Sequence, residues 1–177
     1  MRYSIYVLCL ALSLSVQFKT NASAQVSWTQ VVLLQSTRAD VEKLFGKPIG
    51  ENYSVTYNLR DGVMYLEYYL YDRCKPKYGY RGDWNIPEWT VTDITFEPDN
   101  PPQFSSLKLD LHKFRKVRKS PNVPEMVSYI NDTEGVEYTL AVDGRTVQTI
   151  RYFPGRRFNN LRCANDSAAT AVGSLIK

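Results

Sequence analysis

NYSVTYNLRDGVMYLEYYLY, residues 52–71, places two alternating apolar runs on either side of Asp61-Gly62. An Asp-Gly pair between such runs is a strong signal for a two-residue β-hairpin turn. With this turn, the sequence predicts the following cross-strand partners: Arg60 with Val63, Leu59 with Met64, Tyr57 with Leu66, Val55 with Tyr68, and Tyr53 with Leu70. This register makes one face of the hairpin apolar, and a slip of one residue would bury the polar side chains instead.

The opposite face of this hairpin is predicted to carry Tyr65, Tyr69 and Tyr71. Trp84 follows in a loop that contains Pro and Gly, and Trp89 begins the next predicted strand. If this face is uncovered, its aromatic rings form a contact surface for a protein or a sugar, because they supply large amphipathic area. If another element covers it, the same rings are core residues.

A short motif occurs twice, as TVTDITFEP at 90–98 and as TVQTIRYFP at 146–154. In both copies the apolar residues are spaced three and then two apart, whereas a regular strand alternates every two. One extra residue, inserted as a β-bulge, brings these residues onto one face. They are Val91, Ile94 and Phe96 in the first copy and Val147, Ile150 and Tyr152 in the second. The shared spacing suggests two similar units.

A short helix is predicted before the first hairpin, from about Thr37 to Phe45. Thr37 and Asp40 have the form of an N-cap with an acidic residue three positions later. Val41 begins an apolar stripe at helical spacing, and Gly46 is a typical residue just beyond a helix C-terminus.

The run TRADVEKLFGKP, residues 37–48, resembles the opening helix of the BamE/SmpA-like envelope proteins, with its polar start, a Val at the fifth place and a Leu-aromatic-Gly-x-Pro end. The order of helix, meander, helix-like segment and meander is similar to the tandem arrangement of β-lactamase-inhibitory proteins. The chain also resembles secreted, uncharacterised bacterial proteins. The first two resemblances imply an antiparallel sheet with helices on one face and a role in protein contacts.

The start of the second half is open between helix and extended strand, because SLKLDLHKFRKVRKS, residues 106–120, has apolar residues both at helical spacing and in alternation. Three strands are predicted after it. We therefore expect an α+β fold: an antiparallel sheet from two similar halves, about 31–98 and 105–154. Each half would be a helix or helix-like lead followed by a three-stranded meander, with the helices on one face.

The first 24 residues have the features of a signal peptide, namely a basic start, a short apolar run and an Ala22-Ser23-Ala24 end. The apolar run is about a dozen residues, whereas a membrane span needs roughly 20. We expect export to the periplasm or the medium, with no transmembrane segment after cleavage. The mature chain would be a single domain over 25–163, followed by a flexible C-terminal tail over 164–177.

Cys74 and Cys163 remain once the predicted leader, which contains Cys9, is removed. An even pair in an oxidising compartment predicts a disulfide. The formal net charge is +4 for the whole chain, and two cations leave with the leader. A chain so nearly balanced gives no electrostatic argument for binding nucleic acid.

The most concentrated charge lies at the start of the second half, in Lys113, Arg115, Lys116, Arg118 and Lys119. Such a run is most often a solvated face. Its other roles are contacts with an anionic lipid head group, a polyanionic glycan or an acidic protein.

Few residues suggest catalysis. His112 is the only histidine, so a Ser-His-Asp or Cys-His hydrolase would have to use it, and it lies in a run of charged residues typical of a solvated position. Cys and His are too few for a typical zinc site, and no cofactor is predicted. A glycoside hydrolase needs two acids on facing elements, and Glu67 with Glu88 or Asp93 could form such a pair. Nothing in the sequence distinguishes these acids from ordinary surface charges.

We therefore expect a non-catalytic exported module that binds another envelope protein. The alternative is a carbohydrate-binding module that uses the outward Tyr and Trp residues, and a hydrolase is the least favoured class. The residues predicted to bind are Tyr65, Tyr69, Tyr71, Trp84, Trp89, Lys113, Arg115, Lys116 and Arg118.

Overall fold

The structure, a computed structural model, describes residues 28–164 except 78, 79, 82, 121 and 122. Its regular elements are α1 (Arg38–Phe45), β1 (Ser54–Leu59), β2 (Gly62–Tyr68), β3 (Pro76–Lys77), β4 (Tyr80–Arg81), β5 (Val91–Pro98), β6 (Arg115–Ser120), β7 (Val123–Asn131), β8 (Val136–Leu140) and β9 (Val147–Tyr152). Short 3-10 helices span Trp28–Gln30, Phe104–Leu107, Leu111–Lys113 and Arg156–Leu161. The predicted signal peptide and, beyond Ala164, the predicted tail lie outside the described residues.

Seven strands form one antiparallel sheet in the order β1-β2-β5-β9-β8-β7-β6, and β3 pairs with β4 separately. A three-stranded meander from the first part of the chain thus adjoins a four-stranded meander from the second. The two meet where β5 pairs with β9, with Ile94 opposite Tyr152 and Phe96 opposite Ile150. The recurring motif therefore forms the seam of the sheet.

Both predicted β-bulges are confirmed. The extra residue is Thr92 in β5 and Gln148 in β9. Each bulge resets the alternation of its strand. Across the β8–β9 hairpin, Leu140 pairs with Val147.

Within β1 and β2 the first hairpin has the predicted faces but a different register; outside these strands Tyr53, predicted to face inward, is 50% exposed, and Tyr69, predicted to face outward, is buried. Leu59 pairs with Gly62, so the turn is Arg60-Asp61 and the predicted turn at Asp61-Gly62 is wrong. Gly62 is already a strand residue, and a Cβ at this position would collide with the carbonyl oxygen of Glu97 on β5. Moving the turn by one residue displaces each cross-strand partner by two positions, which keeps the buried face unchanged.

One face of the sheet, the apolar face, is covered by α1 and by residues 28–34. Trp28 stacks on Phe96 with 5.1 Å between ring centroids, and its ring lies 5.4 Å from that of Tyr152. Helix α1 places Val41 in the same core, where it is completely buried. The buried members of this core are Val31, Val41, Val55, Tyr57, Met64, Leu66, Tyr68, Val91, Ile94 and Phe96.

Helix α1 confirms the predicted helix and its N-terminal signal. The Thr37 hydroxyl accepts a hydrogen bond from the backbone N–H of Asp40, and the Asp40 carboxylate accepts one from the backbone N–H of Thr37 at 2.9 Å. Gly46 follows the last helical residue with φ of +81°, a backbone conformation that glycine adopts readily.

The predicted α+β fold, with helices covering one face of both halves, is wrong. The described chain is β-rich and has one α-helix. In the second half, Lys108 adopts a left-handed conformation with φ of +50°, which interrupts a helix. Leu111 is 49% exposed, so the apolar residues at helical spacing do not share a buried face. The chain continues instead into β6, which pairs with β7.

Two aromatic side chains cover the second half of the apolar face in place of a helix. Phe104 lies 4.4 Å from Tyr129 and 6.2 Å from Tyr138, measured between ring centroids. Phe114 lies 6.0 Å from Tyr138. Side chains from short 3-10 helices and irregular segments thus provide the packing that an α-helix was predicted to provide.

The two edges of the sheet differ. Ile49 forms an isolated bridge to β1, in which its N–H donates to the carbonyl of Thr56 at 2.8 Å and its carbonyl accepts from the N–H of Thr56 at 3.0 Å. The opposite edge is β6, whose exposed cations include Lys116 and Arg118.

Candidate binding surface

The second face of the sheet, the polar face, carries the side chains that alternate with the apolar face. The strand register places on it Ser54, Thr56 and Asn58 of β1, Tyr65 and Glu67 of β2, Asp93, Thr95 and Glu97 of β5, Glu137 and Thr139 of β8, and Thr149 and Arg151 of β9. Helix α1 packs on the apolar face. Ser54, Asn58 and Glu67 are exposed, so the polar face of β1 and β2 is open to solvent.

An ion-pair cluster lies on the polar face at the seam between β5 and β9. Arg151 Nε donates to both carboxylate oxygens of Asp93, at 3.1 and 2.9 Å, and Arg151 Nη2 lies 2.7 Å from Asp93 Oδ2. Arg151 Nη1 lies 3.7 Å from Glu137 Oε2. Asp93 and Glu137 are only 8% and 3% exposed, whereas the Arg151 side chain is 45% exposed. Buried carboxylates therefore hold a guanidinium that also faces solvent.

The electrostatics of the cluster follow from its partial burial. Burial raises the pKa of Asp93, although the hydrogen bonds and charge of Arg151 act in the opposite direction. The hydrogen bonds from Arg151 to Asp93 raise the pKa of the guanidinium against the effect of burial. Charge-assisted hydrogen bonds of this kind fix the orientation of the guanidinium.

Tyr65 lies next to this cluster, because it pairs with Thr95, which in turn pairs with Arg151. Its hydroxyl donates a hydrogen bond to Glu97 Oε2 at 3.2 Å, and its side chain is 37% exposed. Burial and, after it, the Glu97 carboxylate raise the pKa of the hydroxyl. The polar face therefore presents an exposed aromatic ring that is held in position at its far end.

A groove of about 320 Å³, the tyrosine groove, opens where β2 and β5 join the loops beyond the sheet. It is lined by Tyr53, Tyr68, Tyr69, Leu70, Tyr71, Asp83, Trp84 and Thr92. Tyr53 is 50% exposed, and Asp83 is exposed. The bulge in β5 supplies Thr92. Accessible aromatic surface beside a carboxylate and a hydroxyl is chemically suited to a sugar.

A second, small core supports the wall of the groove. The Tyr69 hydroxyl donates to the Trp84 carbonyl at 2.8 Å and accepts from the Trp84 backbone N–H at 2.9 Å. Both side chains are buried with Leu34 and Ile86. Tyr69 and Trp84, which were predicted to be outward contact residues, therefore serve mainly to hold the groove together.

The predicted disulfide is present and adjoins this second core. Cys74 and Cys163 have Cα atoms 5.6 Å apart and close a separation of 89 residues. The neighbouring Arg162 places its guanidinium 4.3 Å from the centroid of the Trp84 ring, and Trp84 forms an isolated bridge with Arg162. The covalent link thus holds the end of the domain against the groove.

Trp89 lies apart from the polar face. Its side chain is 36% exposed, and its ring contacts that of the apolar-face residue Tyr68 at 6.5 Å between centroids. The guanidinium of Arg38 lies 5.5 Å from the Trp89 ring and 2.7 Å from Glu42. Trp89 has φ of +64°, a strained conformation for a bulky residue.

The basic residues predicted to bind lie at the other end of the sheet from β1 and β2. Lys113 ends a 3-10 helix, while Arg115, Lys116 and Arg118 belong to β6, and all four are exposed. Arg115 forms a bidentate ion pair with Asp132, with distances of 2.6 and 3.1 Å. The structure therefore does not bring the basic run and the aromatic residues into one site.

Three central residues of the polar face, Asp93, Glu137 and Arg151, are absent from the residues predicted to bind. The sequence contains a signal for Asp93 and Arg151. They occupy outward positions in the two motif copies and carry opposite charges, which come together when the copies pair antiparallel. Tyr53 was placed only as an inward member of the hairpin, and Asp83 carries no local signal at all.

Within the described residues, no group of three or more His, Cys, Asp and Glu side chains is placed to hold a metal ion. The helices found there are too short and too polar to cross a bilayer.

The chain matches no protein-family model and no curated protein. Among solved structures it is similar to the crystal structure of YjgB, a DUF4309 family protein from Bacillus subtilis subsp. subtilis str. 168. The two share 16% sequence identity with a TM-score of 0.45, and the alignment covers 70% of this chain and 81% of that one. A likeness at this level carries no information on what this chain binds.

Proposed function

We propose that this chain is an exported, non-catalytic module that contacts another envelope protein through its polar face. The observation that supports this function best is the open surface around Tyr65, where an exposed ring lies beside the anchored guanidinium of Arg151. The disulfide is compatible with an exported protein.

The side chains of this surface suit a protein interface. Tyrosine and arginine are enriched among the residues that dominate binding energy at such interfaces. The hydroxyl of Tyr65 and the guanidinium of Arg151 are already held by Glu97 and Asp93, so binding would cost little side-chain entropy. Exposed Ser54 and similar small polar residues of β1 would form the rim.

Tyr65→Ala tests this role. We expect the mature, tagged protein to capture a partner from an envelope extract of its own host and the variant to lose it, because the variant lacks the ring and its fixed orientation. With the identified partner, calorimetry should show affinity weakened by about tenfold or more. The matched control is Tyr53→Ala, which removes an exposed tyrosine outside the polar face. Equal affinity for Tyr65→Ala and the unmodified protein would contradict the proposal.

The tyrosine groove favours a second function, the binding of a sugar. Here the two variants exchange roles, since Tyr53 lines the groove and Tyr65 does not. Glycan-array binding that is lost in Tyr53→Ala and retained in Tyr65→Ala would support a carbohydrate-binding module. Loss in neither variant would count against the groove as a sugar site.

A further inference from the structure

A second pocket, the cationic pocket, lies at the β6 edge of the sheet and has a volume of about 310 Å³. It is formed by the 3-10 helix Leu111–Lys113, the start of β6, the end of β7 with the turn after it, and the residue that begins the last 3-10 helix. The charged and titratable side chains that line it are His112, Lys113, Arg115, Arg156 and Asp132. One carboxylate thus faces three cations and a histidine.

The carboxylate of this pocket is already committed. Asp132 accepts hydrogen bonds from Arg115 Nε at 2.6 Å and from Arg115 Nη2 at 3.1 Å. This pairing, with a smaller contribution from the charge of Arg156, holds the pKa of Asp132 below its usual value. The ion pair orients Arg115 and leaves its Nη1 group free of Asp132. Lys113 Nζ lies 3.9 Å from the exposed Asp110 carboxylate, so Arg156 contributes most of the remaining positive charge.

Backbone hydrogen bonds fix the rim of the pocket, and the side-chain amide of Asn131 adds a further donor. The carbonyl of Asp132 accepts from the backbone N–H of Arg156 at 2.9 Å, which fixes the start of the last 3-10 helix at the rim. Asn131 is 5% exposed, and its Oδ1 accepts from the N–H groups of Thr133 and Glu134, both at 3.1 Å. Since both partners are donors, the network assigns this oxygen and leaves the Asn131 NH₂ group as a donor at the pocket wall.

We infer that the cationic pocket binds an oxyanion of the phosphate class, either free or as a phosphate monoester on a larger molecule. A tetrahedral oxyanion supplies several strong acceptors, and this pocket offers donors from four cationic or titratable side chains and one amide. Its volume exceeds that of a phosphate ion and leaves room for a sugar-sized remainder. The site lies at the edge of the sheet away from Tyr65 and from the tyrosine groove, so it is a separate binding function.

The test compares three phosphate sources on the mature protein. Inorganic phosphate and glucose 6-phosphate are titrated by calorimetry, and vesicles with and without phosphatidic acid are tested by co-sedimentation. Binding of phosphate alone assigns a free ion, tighter binding of glucose 6-phosphate assigns a soluble monoester, and binding only to phosphatidic acid vesicles assigns a lipid head group. Each of these three results supports the inference, whereas binding in none of them overturns it.

Two variants separate ligand binding from a structural role. Arg156→Gln should weaken binding by about tenfold or more, because it removes a charge-assisted donor. Asp132→Asn keeps an acceptor for Arg115 but removes the negative charge, so it should tighten binding several-fold. Arg145→Gln, an exposed arginine in the β8–β9 turn, is the matched control and should change nothing. Unchanged binding in Arg156→Gln, or weaker binding in Asp132→Asn, would overturn the inference.

Discussion

Arg151 connects the two meanders at the scale of single side chains. It lies on β9, and it bonds Asp93, which is 58 residues away on β5. It also reaches Glu137 on β8. Carboxylates removed from water depend on such a cation, because the loss of one partner leaves the other buried and poorly solvated.

Arg151→Met should lower the free energy of unfolding by about 2 kcal/mol at neutral pH, below the value for fully buried pairs because the guanidinium is half exposed. The folded-state pKa of Asp93 is already raised, and without Arg151 it rises further. A group with a raised folded-state pKa costs stability as pH rises, so the variant should lose most between about pH 4 and pH 7. Urea unfolding at both pH values measures this.

The control for this change is Arg145→Met, which should alter stability by about 0.5 kcal/mol or less because Arg145 is exposed in a turn. A stability difference between Arg151→Met and the unmodified protein that is the same at both pH values would show that Asp93 does not depend on Arg151.

Within β1 and β2, sequence alone predicts which side chains are buried, because alternation is a local property. It does not predict the Arg151 cluster, since that contact requires the pairing of β5 with β9. The same limit applies to Tyr69: its position in the chain favours an outward side chain, but the loop that contains Trp84 returns to cover it.

At the scale of elements, the two bulged strands and α1 are predictable because each leaves a local pattern, a spacing or a capping pair. The second helix fails for a physical reason. Residues 106–120 have two apolar periods at once, and pairing of β6 with β7 satisfies the backbone of the charged segment while Phe104 and Phe114 cover the sheet. Where the local sequence favours helix and strand equally, strand pairing in the folded protein therefore determines the structure.

Gly62 shows how one position sets the register of three strands. It pairs with Leu59 on β1 and with Pro98 on β5. We expect Gly62→Ala to destabilise the protein by about 3 kcal/mol, because the added methyl group overlaps the carbonyl of Glu97 and lies 2.9 Å from the Cα of Pro98. Thermal and urea unfolding measure this loss.

Gly144→Ala is the matched control. Both glycines have a positive φ, of +155° at Gly62 and +67° at Gly144. An added Cβ at Gly144 meets no atom within 4 Å. The cost should be backbone strain alone, about 1 kcal/mol. If both variants lose the same stability, close approach to β5 is not what requires glycine at position 62.

At the scale of the molecule, the disulfide ties the loop after β2 to the segment after β9. A Cys74→Ser/Cys163→Ser variant should be less stable by about 4 kcal/mol, because the link restricts the unfolded chain over 89 residues. The reduced, unmodified protein should show a similar loss in urea. In the double variant, tryptophan fluorescence should change before the main unfolding transition, because Trp84 packs against Arg162 beside the missing link. A variant as stable as the oxidised protein would contradict this account.

The disulfide is the property of the whole molecule that the sequence predicts, because Cys74 and Cys163 are the two cysteines outside the predicted leader. The order of the strands in the sheet is not predicted, because two meanders can pair through more than one of their edges. The resemblance to the BamE/SmpA-like and β-lactamase-inhibitory proteins stays a prediction.

The unequal edges of the sheet affect how copies of this protein behave at high concentration. An open sheet with bare edges can extend from one molecule to the next and grow into fibres. Here Ile49 occupies both hydrogen-bonding groups of Thr56 at one edge, and the like charges of Lys116 and Arg118 repel a second β6 at the other. Both features therefore limit edge-to-edge association between copies of this protein at high concentration.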